Sequence, residues 1–92
     1  MEIRFTREAK EQLRGIKMYI EVDSPQYAGI YLKRLTNRIK YLKEYPSIGR
    51  VVPEFGLKQI REIIHSPYRI IYRICDDRIE ILTIIHSKMD IN

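Results

Sequence analysis

The last third of the chain restricts the fold most, because residues 66–86 form two stretches in which the side chains follow a period of two. This segment, SPYRIIYRICDDRIEILTIIH, is typical of β-strands, and a pair of aspartates separates the two stretches. A two-residue separation is the length that most β-hairpins use. We therefore predict a hairpin of strands 68–75 and 78–86, preceded by a strand at residues 58–65.

A two-residue turn at Asp76 and Asp77 divides the hairpin side chains between two faces. One face is almost wholly apolar and is predicted to pack on helices: Tyr68, Ile70, Tyr72, Ile74, Ile79, Ile81, Thr83 and Ile85. The other is predicted to face outward and mixes apolar with charged groups: Arg69, Ile71, Arg73, Glu80, Leu82, Ile84 and His86. An exposed apolar cluster rimmed by charge indicates a contact surface. The alternative is that the chain's own loop, residues 47–56, covers this face.

The first half of the chain follows a helical period. Residues 1–5 alternate and predict a short strand, and Thr6 is a helix N-cap candidate. A second helix is predicted at residues 25–44, after the cap Ser24. The apolar positions predicted to face the core are Ala9, Leu13, Ile16 and Ile20 in the first helix, and Ala28, Tyr31 or Leu32, Leu35, Ile39 and Leu42 in the second. The prediction is an α+β fold with the order β-α-α-β-β-β in one domain, residues 1–92, in which an antiparallel two-helix hairpin packs on a small antiparallel sheet.

The charge balance favours an acidic partner. The net charge is +5, with 17 Lys and Arg against 12 Asp and Glu, and this fits either nucleic acid or an acidic protein segment. Cations concentrate on the second helix, where they form either a solvated outer face that aids solubility or an electrostatic contact surface, with Arg34 and Arg38 as candidates. No apolar run reaches the roughly 20 residues of a membrane span, and the N-terminus lacks a signal-peptide pattern, so we expect a cytoplasmic protein without membrane contact. No metal-ligand spacing or phosphate-binding loop occurs, which predicts neither metal nor cofactor.

Two histidines and several cations could support phosphate chemistry. His65 and His86 are able to titrate near neutral pH, and Arg61, Arg69, Arg73 and Lys88 are able to hold a phosphate. Each group also has a structural interpretation. Arg61 and Arg73 would form ion pairs with Glu62, Glu80 or Glu54, and His86 would fix the C-terminal segment through the backbone. The facing of Arg61 stays open, because the register of strand 58–65 is uncertain by one residue.

Five stretches, in order, resemble the ParE branch of the RelE/ParE toxin superfamily: PSIGRVVPEFG, IREI, PYRIIYRI, DDRIEIL and IIHSKMD. The resemblance covers nearly the whole chain. It implies a toxin of a type II toxin–antitoxin pair, with a ParD-like antitoxin whose flexible C-terminal segment wraps the toxin, and with DNA gyrase as the target. The alternatives are a RelE-like endoribonuclease that cuts messenger RNA on the ribosome, and a non-toxic member acting only within the antitoxin complex.

The resemblance also implies roles for particular residues. Arg69 matches the arginine of the Tyr-Arg motif that RelE-like nucleases use, and with His86 it is the candidate catalytic pair. The other basic positions of those nucleases fall on Ile60, Glu62 and Met89, which weakens the nuclease interpretation. Target binding is expected at Arg61, Arg69, Arg73, His86 and Lys88. Antitoxin binding is expected at Arg34, Arg38, Ile71, Leu82 and Ile84.

Overall fold

The computed structural model describes residues 1–88, and these form two helices and a five-stranded sheet. The elements are β1 (Glu2–Phe5), α1 (Arg7–Glu21), α2 (Pro25–Lys40), β2 (Arg50–Val51), β3 (Ile60–His65), β4 (Tyr68–Ile74) and β5 (Arg78–His86). Two 3-10 turns, Tyr41–Lys43 and Pro46–Ile48, connect α2 to β2. The α+β fold with its helix hairpin is thus confirmed, and the strand β2 is an addition to it. Met89 lies outside the described residues.

Both helices begin at the predicted caps. The Thr6 hydroxyl accepts a hydrogen bond from the Ala9 N–H at 3.1 Å, and the Ser24 hydroxyl accepts one from the Tyr27 N–H at 3.1 Å. Each side chain satisfies a backbone donor that the first helical turn leaves unpaired. The second helix becomes a 3-10 turn at Tyr41, earlier than the predicted end at residue 44. Within residues 1–88, neither helix combines the length and the apolar character needed to cross a membrane.

The predicted helix faces form the core with the sheet. The cluster of buried side chains between these layers contains Ala9, Ile16, Tyr31, Leu35, Ile39, Leu42, Ile63, Ile70, Tyr72, Ile79, Ile81 and Ile84. Leu13, Ile20 and Leu32 pack against it while remaining partly exposed. The 3.6-residue period of the apolar positions therefore identified the inward side of both helices.

The sheet is mixed rather than antiparallel. Its order is β1-β5-β4-β3-β2, with β1 parallel to β5 and the other neighbours antiparallel. The pairing of β1 extends from Glu2↔Arg78 to Phe5↔Ile81. A parallel pair requires a long connection, and here everything from α1 to β4 lies between the two strands. The predicted antiparallel sheet of three strands is confirmed for β3, β4 and β5, and β1 adds a parallel strand at its edge.

The hairpin follows the predicted register only near its turn. Ile74↔Ile79 and Arg73↔Glu80 pair as expected, but a bulge between Ile71 and Tyr72 leaves Leu82 as an extra residue on β5. Beyond it Ile84 pairs with Ile70 and is only 3% exposed, inside the core. The predicted outward orientation of Ile84 is wrong, and Ile84 occupies the core in place of Thr83 and Ile85.

Contacts from the N-terminal part of the chain hold the bulge. The Thr6 N–H donates to the Ile81 carbonyl at 3.0 Å, and its hydroxyl donates to the Leu82 carbonyl at 2.7 Å. The Gln12 side chain then accepts from the Ile84 N–H at 2.6 Å and donates to the Thr83 hydroxyl at 2.8 Å. Thr6 and Gln12 therefore continue, with side chains, the hydrogen bonding that β1 stops providing after Phe5.

Candidate partner-binding groove

The loop that follows β2 covers the part of the outer sheet face around Ile71 and Arg69. Ile71 is 1% exposed and Val52 is 0% exposed, although neither belongs to the core cluster on the helix side. Glu54 of the same loop forms an ion pair with Arg69, which is 6% exposed. The chain's own loop is thus the cover that the sequence left as an alternative. The expectation that Arg69 and Ile71 are displayed to a partner is wrong, whereas Leu82 remains partly exposed.

Arg69 is held by two carboxylates. Its Nε donates to Glu62 Oε1 at 2.6 Å, and its terminal nitrogens donate to Glu54 at 2.9 and 3.1 Å. Arg50 binds the other oxygen of Glu62 at 2.6 Å, and the Glu62 side chain is 0% exposed. The hydrogen bonds that Arg69 donates to Glu54 and, next in size, to Glu62 raise the pKa of its guanidinium. To bind a phosphate, Arg69 would have to break its hydrogen bonds to both carboxylates. This is evidence against a catalytic role.

Within residues 1–88, Arg61 anchors the loop and forms no ion pair. The turn between β3 and β4 has two residues, with His65 opposite Tyr68, and this register places Arg61 opposite Tyr72 on the helix-facing side. Its guanidinium donates to the Gly49 carbonyl at 2.9 Å and to the Lys58 carbonyl at 2.9 Å. The prediction of an ion pair for Arg61 is wrong, because backbone carbonyls take its donors.

The remaining predicted target-binding residues lie at the two ends of the hairpin. Arg73 pairs with Glu80 as predicted, at 3.0 Å between Nε and Oε1, and its side chain is 47% exposed. At the opposite end, His86 Nδ1 accepts from the Lys88 N–H at 3.2 Å, so it fixes the backbone there. Its ring lies edge-on to Tyr68, with the ring centroids 6.1 Å apart. Arg73, His86 and Lys88 therefore do not converge on one cleft, and their target contacts stay predictions.

An open groove lies between the end of α2 and the edge of β3. Its volume is about 640 Å³, and its lining residues are Arg34, Asn37, Arg38, Tyr41, Ile48 and His65. The first four recur at helical spacing along one side of α2 and into the 3-10 turn that follows it. A smaller adjoining cavity of about 300 Å³ shares Arg38, Tyr41 and Ile48 and extends to Arg50, Glu62 and Ile64. We call the two together the α2–β3 groove.

The α2–β3 groove combines exposed apolar surface with positive charge. Tyr41 is 53% exposed, Ile48 59% and Ile64 41%. Among residues 1–88, no acidic side chain lines the larger of its two cavities. Glu62 lines the smaller cavity and is already paired with two arginines. Such a surface fits a partner that carries both aliphatic and acidic side chains.

The electrostatic state of His65 reflects this environment. Partial burial is the largest cause that lowers the pKa of His65 below its ordinary value of 6.5, and the nearby Arg38 and Arg34 lower it further. The ring also contacts Tyr31, with ring centroids 5.3 Å apart. His65 is therefore a partly buried side chain that packs on Tyr31 at the groove wall.

Sequence reasoning identified only part of this groove. Arg34 and Arg38 were predicted as partner contacts from the charge of the second helix, and they do lie in the groove. Ile48 and Ile64 were missed, and His65 was predicted only for phosphate chemistry, because residues distant in sequence come together here. The sequence did contain one signal for a surface at the end of α2, namely Tyr41 and Tyr45, two aromatic residues one helical turn apart. Tyr41 lines the groove, and the ring centroids of the pair lie 4.8 Å apart.

Comparison with known proteins supplies the family. The family described as "ParE toxin of type II toxin-antitoxin system, parDE" matches residues 3–91. The chain belongs to this family of toxins. A curated protein of Sinorhizobium fredii, named "Putative toxin Y4kP", is 39% identical over 87 residues, which are 92% of this chain and 86% of that protein.

A solved structure agrees with the fold. The structure titled "Chromosomal ParDE TA system from P. aeruginosa" aligns with a TM-score of 0.77 and 22% identity, covering 94% of this chain and 95% of that one. At this identity the likeness concerns the fold, and it confirms the α+β architecture derived from the sequence.

Proposed function

We propose that this toxin acts by binding DNA gyrase and that an acidic, ParD-like antitoxin neutralises it by occupying the α2–β3 groove. The observation that carries the antitoxin assignment is the groove itself, where exposed Tyr41 and Ile48 lie beside Arg34 and Arg38. An amphipathic acidic segment that orders on binding would cover the apolar surface and neutralise the cations. The family and the order of its sequence motifs support the gyrase assignment.

The buried state of Arg69 favours a binding toxin over a ribonuclease. A nuclease of the RelE type would need this arginine at the scissile phosphate, whereas Glu54 and Glu62 already engage it beneath the loop. Glu62 also stands where such nucleases place a cation. A toxin that acts by binding its target does not require Arg69 to be released from Glu54 and Glu62.

Expression of the chain alone is expected to stop growth and to induce a DNA-damage response, because a poisoned gyrase leaves DNA breaks. Co-expression of the antitoxin encoded beside its gene is expected to relieve both effects. The purified protein should inhibit supercoiling by gyrase in vitro. New ribosome-dependent cleavage sites in translated messages, with gyrase unaffected, would instead establish the ribonuclease.

Removing the groove cations is expected to weaken antitoxin binding. The double substitution Arg34→Ala, Arg38→Ala should raise the dissociation constant by roughly tenfold, since it deletes two partly exposed charge pairs of about 0.5–1 kcal/mol each. Isothermal titration at low salt measures the change. Lys40→Ala is the control: it also removes a charge from α2, one instead of two, but Lys40 lines a different cavity with Ile3 and Phe5. An equal loss in the control would contradict a groove-specific contact.

A further inference from the structure

Half of the outer edge of β3 has no strand beside it. β2 pairs with Arg61 and Glu62 of β3, and the chain preceding β2 turns away into the 3-10 turn Pro46–Ile48. Throughout residues 1–88, no strand flanks residues 63–65 on that side. An uncovered strand edge is a template on which another chain is able to pair.

The backbone of Ile64 faces this open edge. The Val52 N–H donates to the Ile60 carbonyl at 3.2 Å, so Ile60 is directed toward β2, whereas the Gln59 carbonyl accepts from Ile74 of β4 at 2.8 Å. Hydrogen-bonding direction alternates along an antiparallel strand. The N–H and C=O of Ile64 therefore point outward, like those of Ile60.

The open edge runs along the α2–β3 groove. Ile64 and Ile63 line the smaller cavity together with Arg38, Tyr41 and Ile48. Successive side chains of an added strand would point to opposite sides. One set would enter the groove beside Tyr41 and Ile48, and the other set would lie on the outer side, next to the exposed side chain of Ile64.

The positive charge around the open β3 edge favours an acidic partner over a second copy of this chain. Arg34, Arg38 and Arg50 border the groove, and a second copy of this chain would bring a further net charge of +5 to it. We infer that the β3 edge at Ile64 accepts an extended segment of the antitoxin as an added strand, with acidic side chains toward Arg34 and Arg38 and aliphatic ones on Tyr41 and Ile48. This inference rests on the proposed function and gives the bound segment a conformation and a register.

Amide hydrogen exchange tests the added strand directly. The probe is the antitoxin encoded beside the gene, co-expressed and co-purified with the isotopically labelled toxin. Exchange of the Ile64 amide is expected to slow by at least about tenfold in the complex, as a new backbone hydrogen bond would require. An undiminished exchange rate in a stable complex overturns the strand while leaving the proposed function intact. Failure of any complex to form overturns both.

A pair of variants at Ile64 gives an independent measurement. Ile64→Pro removes the outward N–H but spares the β4 pairing of Ile63 and His65, and proline is tolerated on strand edges. It should weaken antitoxin binding by about threefold to tenfold, the value of one hydrogen bond. Ile64→Thr retains the N–H and should bind more tightly than the proline variant. Equal affinity of the two variants overturns the strand.

The exchange measurement uses the unsubstituted toxin, so it decides the question even if the proline variant does not fold. Slow exchange of the Ile64 amide in the free toxin, together with a dimer in analytical ultracentrifugation, would assign the edge to a second copy and overturn the antitoxin assignment.

Discussion

Replacing Arg69 by alanine is expected to lower the free energy of unfolding by about 3–5 kcal/mol, because it removes the buried cation that Glu62 and Glu54 share. The Glu62 side chain is 0% exposed, and after the substitution it would retain only Arg50, whose own side chain is 64% exposed. Glu54 would lose the contact that ties the loop after β2 to the sheet. Urea denaturation of the purified protein, followed by circular dichroism, measures the loss.

Arg73→Ala is the matched control for this prediction. Arg73 lies on the same strand and the same face as Arg69 and also pairs with a glutamate, Glu80, but its side chain is 47% exposed. Water screens and replaces such a pair, so a much smaller loss is expected. Equal losses for the two arginines would contradict the assignment of Arg69 to a buried network. The result also bears on function, since lost toxicity in an unfolded Arg69→Ala protein carries no evidence of catalysis.

Local patterns predicted the elements of this fold because each element carries its own signal. Helix caps at Thr6 and Ser24, the apolar period of both helices and the alternation of β4 and β5 depend on neighbours within a few residues. Tyr72 and Ile81 pair as predicted for the same reason, since they lie close to the turn. Patterns of this range cannot specify which strands become neighbours.

The errors arise where distant segments decide the outcome. The bulge at Leu82 depends on Thr6 and Gln12, more than 70 residues earlier in the chain, and it moves Ile84 from the predicted outer face into the core. The cover over Arg69 comes from a loop without periodicity, in which one glutamate makes the contact. The surface that we propose for partner binding is accordingly the α2–β3 groove and not the sheet face predicted from the sequence.

Substituting Gly49 by alanine is expected to lower the free energy of unfolding by about 1–3 kcal/mol, the usual cost of forcing a methyl group into a packed site. Gly49 has ordinary backbone angles, φ −74° and ψ 157°, so the need for glycine here is spatial. A Cβ atom would lie 2.5 Å from the Glu62 carbonyl oxygen and 2.6 Å from the Tyr72 hydroxyl. Relief requires this segment to move away from β3, which strains the hydrogen bond from the Gly49 N–H to Tyr72 and the one from Arg61 to the Gly49 carbonyl.

Gly29→Ala is the same chemical change, but it is expected to raise the free energy of unfolding instead of lowering it. Gly29 lies within α2, and an added Cβ would meet nothing within 4 Å, so the higher helix propensity of alanine should stabilise the protein by up to about 1 kcal/mol. Thermal unfolding of the two variants beside the parent separates the cases. Because Gly49 connects Ile48 of the groove to β2, its substitution should also weaken antitoxin binding, whereas Gly29→Ala should not. A Gly49→Ala protein as stable as its parent would show that the loop is not seated against the β3 edge, and the groove built on that contact would have to be redrawn.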